Sequence, residues 1–363
     1  MTRCDALIVG GGPSGSTCAW LLRRAGWNVI VADRARFPRD KVCAGWLTPD
    51  VFRLLELEPQ EYRATGATLQ DISGFRTGLI GAPLIDTHYS HVVSYAIRRR
   101  EFDAFLLHRS QAQLFEDTAV HTIRPSGKGW VVNDEIETPL LIGAGGHFCP
   151  VAKYLRGAGD TEIPVVAKEA EFTLNPDQTH TVSRVPELFF CRDMEGYAWS
   201  VRKGDYLNVG IGRRGNAGFA RHVADFMAFL ERRQTLTPGS LARWHGHAYM
   251  AWGAGARPLL SNGVLVIGDA AGLAYPESGE GIKPAIESGR RAAETLIAAD
   301  GRVDVEALQP YADALRRLHP PIARHSRPVQ AALAAAGRVL LRSPMFTRHV
   351  VLDRWFLRAV EGT

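Results

Sequence analysis

Three glycines near the N-terminus constrain this chain more than any other feature. Gly10, Gly12 and Gly15 stand at the G-x-G-x-x-G spacing, directly after the short apolar run from Asp5 to Val9. A helix-like stretch from Ser16 to Ala25 follows. Gly26-Trp27-Asn28 then turns the chain into a second apolar run, Val29 to Ala32, which ends on Asp33. Strand, glycine turn, helix, strand and acid in this order make a dinucleotide-binding unit. The first glycine allows the tight turn, the second lets a pyrophosphate approach the backbone, and the third lets helix and strand pack closely. The helix start offers free N–H groups to phosphate. Asp33 lies about twenty residues on, where an acid takes the ribose hydroxyls.

Composition bounds the rest. A chain of 363 residues with 46% hydrophobic and 22% charged residues is an ordinary globular protein, long enough for two domains. No apolar run is long enough to span a bilayer, and the first strand begins too early to leave room for a signal peptide. Cys4, Cys18, Cys43, Cys149 and Cys191 are scattered, with no C-x-x-C pair and no metal-ligand spacing, which points to a reduced cytoplasm and no metal. The net charge of +5 is a mild excess, and no nucleic-acid motif accompanies it.

Beyond Asp33, residues 34 to 50 are rich in charge, Pro and Gly and read as a loop on the ligand side of the sheet, followed by a helix through Val51 to Leu57. Cys43 sits in that loop, either as an inert small residue or as a thiol beside the cofactor. Arg98, Arg99 and Arg100 stand at a helix entrance, where they suit phosphate or plain surface equally. Leu114 to Ile123 reads as a strand, and Leu140 to Gly146 as a buried strand ending in glycines. From Pro164 to Gly212 short β-type runs between turns suggest a mostly antiparallel sheet. Gly210, Gly212 and Gly215 repeat the glycine spacing, but no second strand ending in an acid follows, so the match is coincidental. Asn262 to Gly272 is a buried strand ending in Gly268-Asp269, and a glycine-rich loop then enters a helix at Gly281 to Lys283. After Asp300 the pattern is helical, with Pro320-Pro321 as a break. Leu340 to Leu357 mixes apolar residues with four arginines, as a surface helix packed on the body or as a membrane-surface helix would.

Together these stretches resemble the flavoprotein monooxygenases of the aromatic-hydroxylase fold, and more closely the geranylgeranyl reductase branch of that superfamily. Lys41-Val42-Cys43-Ala44-Gly45 with Leu47-Thr48-Pro49 resembles its cysteine-containing flavin loop. Tyr197-Ala198-Trp199 followed by Lys203 to Gly210 resembles its substrate-sheet motif. Gly268-Asp269-Ala270-Ala271-Gly272 with Pro276 and Gly279 to Ile282 resembles its flavin block. The chain departs from hydroxylases at Gly145 and Gly272, where they usually have Asp and His. It departs from the reductases at Val201-Arg202, where they usually have Phe-Pro.

The resemblance implies a glutathione-reductase-like, doubly wound α/β fold. A Rossmann-like FAD-binding domain would comprise residues 1–67, 95–160 and 253–300. An antiparallel β-sheet substrate domain would comprise 68–94 and 161–252, and residues 301–363 would form a helical tail. It implies FAD held by Gly10, Gly12, Pro13, Ser14 and Gly15 at the pyrophosphate and by Asp33 and Arg34 at the adenosine side. Lys41, Arg99, Ala144, Gly145, Gly268 and Asp269 would follow toward the ribityl chain, and Gly279, Gly281 and Ile282 toward the isoalloxazine ring. Cys43 would be the catalytic candidate, with Trp46, Tyr197 and Trp199 in the substrate pocket. The implied activity is hydride transfer at a carbon–carbon double bond of a lipid-like or polyketide-like molecule, with NAD(P)H or another electron donor. The alternatives are an oxygen-using hydroxylase, a halogenase, for which the usual tunnel lysine is missing between Lys41 and Lys128, and a flavin-binding protein without turnover. The expected location is cytoplasmic, with peripheral membrane contact through the C-terminal region as the variant.

Overall fold

The computed structural model describes residues 1–127, 129–157, 163–175, 182–233, 235, 244–253, 257–319 and 326–358. In chain order, strand β1 (Ala6–Val9), helix α1 (Pro13–Arg24) and strand β2 (Val29–Ala32) open the molecule. Strands β3 (Gly74–Leu79) and β4 (Ile85–His88) come next, then helix α2 (Arg99–Arg109), β5 (Gln113–Phe115) and β6 (Leu140–Gly143). Strands β7 (Val165–Thr173), β8 (Glu187–Phe190), β9 (Gly196–Lys203) and β10 (Tyr206–Arg214) lead to helix α3 (Phe219–Arg232) and β11 (His245–Tyr249). Strands β12 (Leu260–Ser261) and β13 (Val264–Val266) precede helices α4 (Ile282–Ala298), α5 (Val305–Leu318) and α6 (Arg327–Leu340), and a π-helical turn spans Thr347–Phe356.

One sheet has the order β12-β13-β6-β1-β2-β5, parallel throughout except for β12 against β13. Its central strands are buried on both faces, as parallel strands covered by helices must be. The register aligns Val9 with Ala32 and Gly143, and Gly143 with Val266. The residues that follow these four, Gly10, Asp33, Ala144 and Ile267, therefore emerge along one edge. Parallel pairing thus gathers motifs more than 250 residues apart at the carboxyl ends of the strands, where open α/β sheets bind ligands.

The second sheet has the order β11-β7-β10-β9-β8-β3-β4, antiparallel except for β8 against β3. Helix α3 packs Phe226, Phe229 and Leu230 against Phe189, Val209 and Ile211 on its outer face. The other face carries Tyr197 and Trp199 of β9, Asn208, Gly210 and Gly212 of β10, Ala167 and Glu169 of β7, and His247 and Tyr249 of β11, because side chains alternate along paired strands.

Several local expectations change. Helix α1 starts at Pro13 rather than Ser16, since proline suits the first helical position. The strand expected over Leu114 to Ile123 ends at Phe115 and resumes as a separate strand, Ile123–Ser126. Glu116 accepts from the Phe37 N–H and Asp117 turns at φ 53, a conformation that Asp tolerates better than most residues. Gly210 and Gly212 lie inside β10 rather than in a ligand turn. A Cβ on Gly210 would come 2.3 Å from the Trp199 indole, so its small size makes room for that ring. The Pro320-Pro321 break lies outside the described residues. Within the C-terminal stretch, Val351, Leu352, Phe356 and Leu357 are buried against Trp46, Phe75, Phe190 and Trp199, so this part packs on the body. Exposed apolar side chains remain in the stretch at Leu340 and Met345, and others precede it at Val329, Leu333 and Val339.

Candidate active site

A cavity of about 1370 Å³ runs from the glycine turn, along the strand edge, to the inner face of the second sheet. Drug-sized sites usually occupy roughly 300–1,000 Å³, so a dinucleotide and a second molecule both have room. Gly10, Gly12, Pro13, Ser14, Asp33, Arg34, Lys41, Arg99, Ala144, Gly145, Asp269, Gly279, Gly281 and Ile282 line it, as do Cys43, Trp46, Tyr197 and Trp199. Gly15 and Gly268 do not line the cavity. A Cβ on Gly15 would lie 2.0 Å from the Gly10 carbonyl, and one on Gly268 would lie 2.6 Å from Ser14 Oγ. These two glycines let the backbone pack behind the cradle.

The glycine turn is shaped for an anion. Helix α1 has no side-chain cap and no acid in its first turn, so its free N–H groups point at the cavity. Asp33 Oδ2 accepts from the Gly11 N–H at 2.8 Å and Oδ1 from the Ala35 N–H at 2.9 Å. A carboxylate has about four lone-pair sites, so acceptor capacity remains for sugar hydroxyls. These features fit a dinucleotide cofactor held at its pyrophosphate and ribose.

Two arginines share one buried acid here. Arg99 Nε and Nη2 each donate to Asp103 at 2.8 Å, and Arg39 Nη2 lies 3.4 Å from the same carboxylate. Burial works against the Arg99 charge, but Asp103 and the neighbouring Cys43 thiol overcome it, so its proton is held more tightly than usual. Arg39 also reaches toward Gly12, where an added Cβ would meet its guanidinium at 3.6 Å. Of the other two arginines, Arg98 pairs with Glu171 and Glu101 inside, and Arg100 pairs with Asp40 at the surface.

Farther along, Lys41 Nζ lies 2.5 Å from His247 Nε2 and 4.0 Å from Asp269 Oδ2. Burial lowers Lys41 to about 8, with Asp269 opposing. Burial and the nearby Lys41 charge lower His247, which leaves a neutral ring to accept from the ammonium. Burial alone would raise Asp269, but the nearby His247 ring and the Lys41 charge bring it down to about 2. This trio spans the Cys43 loop, β11 and the Gly268-Asp269 block.

Cys43 is half-buried and is the one cysteine not fully buried. Its backbone N–H donates to Glu169 Oε2 at 2.7 Å, and its Sγ accepts from the Gly45 N–H at 3.4 Å. Around it the cavity becomes aromatic. Tyr197 donates to the Ser278 carbonyl at 2.5 Å, Trp199 Nε1 donates to Asn208 Oδ1 at 2.7 Å, and Trp46 packs on Phe75 and Phe356. Glu280, at the entrance of α4, is pushed up to about 7 by burial.

Arg39, Glu169, His247, Tyr249 and Glu280 are cavity-side or supporting residues that the sequence reading missed. Arg39 looked like one more loop charge. His247 and Tyr249 alternate with period two, but nothing local says which sheet receives their strand. Glu169 left a usable signal, since acids at 169 and 171 on the same face of a strand as Val165 and Ala167 are unusual. Among the described residues no group of three metal-ligating side chains is found, and no helix is long and apolar enough to cross a membrane.

Comparison with known proteins bears on this arrangement. Residues 3–155 match the FAD binding domain family. The geranylgeranyl diphosphate reductase of Rhodobacter capsulatus is 29% identical over 315 residues, covering 82% of this chain and 75% of that protein. The menaquinone reductase of Mycolicibacterium smegmatis is 28% identical over 334 residues, covering 85% and 80%. A geranylgeranyl bacteriochlorophyll reductase-like protein from Thermoplasma acidophilum has a similar fold, with a TM-score of 0.71 at 19% identity over 94% of this chain and 88% of that one. The glycine cradle, the gathered strand ends and these relatives agree: the chain is an FAD-dependent oxidoreductase with an FAD binding domain, similar in sequence to geranylgeranyl and menaquinone reductases.

Proposed function

We propose that the protein reduces a carbon–carbon double bond of an olefinic, lipid-like or polyketide-like small molecule. The observation that carries this reading is the position of Cys43, a half-buried thiol standing where the charged dinucleotide edge of the cavity passes into its aromatic end. The names of the relatives point the same way, since geranylgeranyl diphosphate and menaquinone are both olefinic and oil-like.

When bound, FAD would supply the hydride, with electrons from NAD(P)H or another donor. The chain supplies the rest. Gly10, Gly12, Pro13 and Ser14 cradle the pyrophosphate, and Arg39 and Arg99 balance its charge. Asp33 and Arg34 hold the adenosine end. Lys41, Ala144, Gly145 and Asp269 would hold the ribityl chain, and Gly279, Gly281 and Ile282 would hold the ring. Trp46, Tyr197 and Trp199 exclude water and hold the olefin. Cys43 Sγ–H gives its proton to the carbon beside the one that receives hydride, so that both hydrogens add across the bond. The thiolate left behind faces Arg99 and takes its proton back from water. Residues 1–67, 95–160 and 253–300 would form the cofactor domain, and 68–94 and 161–252 the substrate domain, with the boundary at 160–161 outside the described residues. Helix α6, none of whose described side chains is fully buried and which borders the cavity at Gln330, Leu333 and Ala334, would lie on a lipid surface and receive the substrate there.

An oxygen-using reading is the competitor. Its halogenase form is disfavoured, because the one lysine among the described lining residues, Lys41, is committed to His247 and Asp269. The test is to photoreduce the FAD-loaded protein under argon and mix it with a polyprenyl olefin. Reoxidation of the flavin with formation of saturated product is expected. Reoxidation that needs oxygen, with a hydroxylated product, would establish the competitor instead.

A further inference from the structure

Strand β7 presents Val165, Ala167, Glu169 and Glu171 to one face, two apolar residues toward the cavity and two acids at its inner end. The acids do different things. Glu171 is neutralised by Lys203 Nζ at 2.8 Å and Arg98 Nε at 2.9 Å, and Arg98 also pairs with Glu101. Two cations thus meet two anions, and Glu169 is the surplus acid. It is buried, and its Oε2 accepts from the Cys43 N–H at 2.7 Å and from Asn208 Nδ2 at 3.1 Å. Asn208 is held in turn by Trp199 Nε1 on its amide oxygen, so its NH₂ must face the acids.

The loop that carries Cys43 is held through the side chains of Arg39, Asp40 and Lys41, but its backbone has few partners. The described hydrogen bonds give the backbone N–H groups of residues 39–44 one acceptor, Glu169. Behind Cys43 the chain is tight. Gly45 turns at φ +70, where a Cβ would strike the Ile97 carbonyl at 2.5 Å and Lys203 Nζ at 2.6 Å. The backbone at Cys43 is therefore placed by an anchored end at Gly45 and by one carboxylate reaching across from the second sheet.

We propose that Glu169 is the positioning residue for Cys43, latching the flavin loop through the Cys43 N–H and so setting where the thiol stands in the cavity. The proposal rests on the reading of Cys43 as the proton donor. The latch responds to pH. Burial pushes Glu169 up to about 7 against the pull of Lys203, the Cys43 N–H and Asn208, with Glu171 adding to the rise. The charged and titratable groups around it are Lys203 on β9, Glu171 on β7 with Arg98 beyond it, His245 across on β11, and Arg99 of α2 beside the thiol. Above neutrality the bond to Cys43 is charge-assisted. Below it the carboxyl is neutral and the bond is roughly half as strong.

Amide hydrogen exchange on the FAD-loaded full chain tests this, read on a peptide covering residues 39–45 as protection relative to the intrinsic rate at each pH. The wild type should lose protection by about three- to tenfold between pH 8 and pH 6. Glu169→Gln should be flat over that range, and Glu169→Ala should lose about tenfold or more at pH 8. Unchanged protection in Glu169→Ala, or a pH step that survives in Glu169→Gln, overturns the proposal. If Glu169→Ala fails to bind flavin, the Glu169→Gln series decides alone. Turnover adds a second arm. Glu169→Ala should add little to the defect of Cys43→Ser, and fully multiplicative defects overturn the positioning role. A Cys43→Ser enzyme with normal turnover would instead remove the proton-donor reading, while the exchange data still decide whether the latch exists.

Discussion

A Cβ placed on Gly15 would lie 2.0 Å from the Gly10 carbonyl oxygen, whereas one placed on Gly12 meets nothing nearer than the Arg39 guanidinium at 3.6 Å. The two glycines share a motif and answer to different demands. Gly15 is required by the protein itself, because α1 leaves the strand end in backbone contact. Gly12 is free of the protein and faces the space where phosphates approach. Two substitutions separate these roles. Gly15→Ala should cost several kcal/mol, since backbone rather than a flexible side chain must move, and its urea midpoint should fall sharply even without flavin. Gly12→Val should melt as apoprotein within about 1 kcal/mol of the wild type yet purify without flavin colour. A Gly12→Val protein that keeps its flavin would mean that the cofactor does not cross this turn.

At the scale of single elements, helix α6 stands apart. Its described side chains are exposed or half-exposed, with Val329, Leu333, Val339 and Leu340 outward and no acidic residue along its length. A helix that buries no apolar side chain gains little from the body of the protein, which is what a lipid-facing element would show. Leu333→Asp with Val339→Asp should abolish co-sedimentation with anionic phospholipid vesicles while shifting the melting temperature by no more than a degree or two, as exposed sites do. Vesicle binding that survives the double substitution would place the lipid contact elsewhere. The neighbouring π-helical turn behaves in the opposite way. Its sequence is equally mixed, yet Val351, Leu352 and Phe356 are buried. Periodicity alone did not tell these two segments apart, because the difference lies in whether a partner surface is present.

For the whole molecule, the aromatic end of the cavity is assembled from distant parts of the chain. Phe356 from the C-terminal turn packs against Trp46, Phe190 and Tyr197, with ring centroids 5.2–6.2 Å apart. Phe356→Ala should destabilise by about 3–5 kcal/mol, as buried aromatic truncations do, and should raise KM for a hydrophobic olefin more than it lowers kcat. An unchanged KM would separate the tail from the substrate pocket.

The sequence by itself determined the cofactor half of this protein. Gly10, Gly12, Asp33, Gly145 and Asp269, which all line the cavity, could be proposed from sequence because strand, turn and helix are local patterns, each requiring small or acidic residues at set distances from a strand end. Only the tertiary structure decided what gathers around the Cys43 loop. Glu169 comes from β7, His247 and Tyr249 from β11, and Asn208 from β10. Their meeting depends on antiparallel register across a sheet whose strands are separated by long intervals in the chain. Alternation along a strand says that residues two apart share a face. It does not say which loop that face will meet, because that choice is made by packing between the sheets, where burial of Trp199 and Phe356 outweighs any local preference.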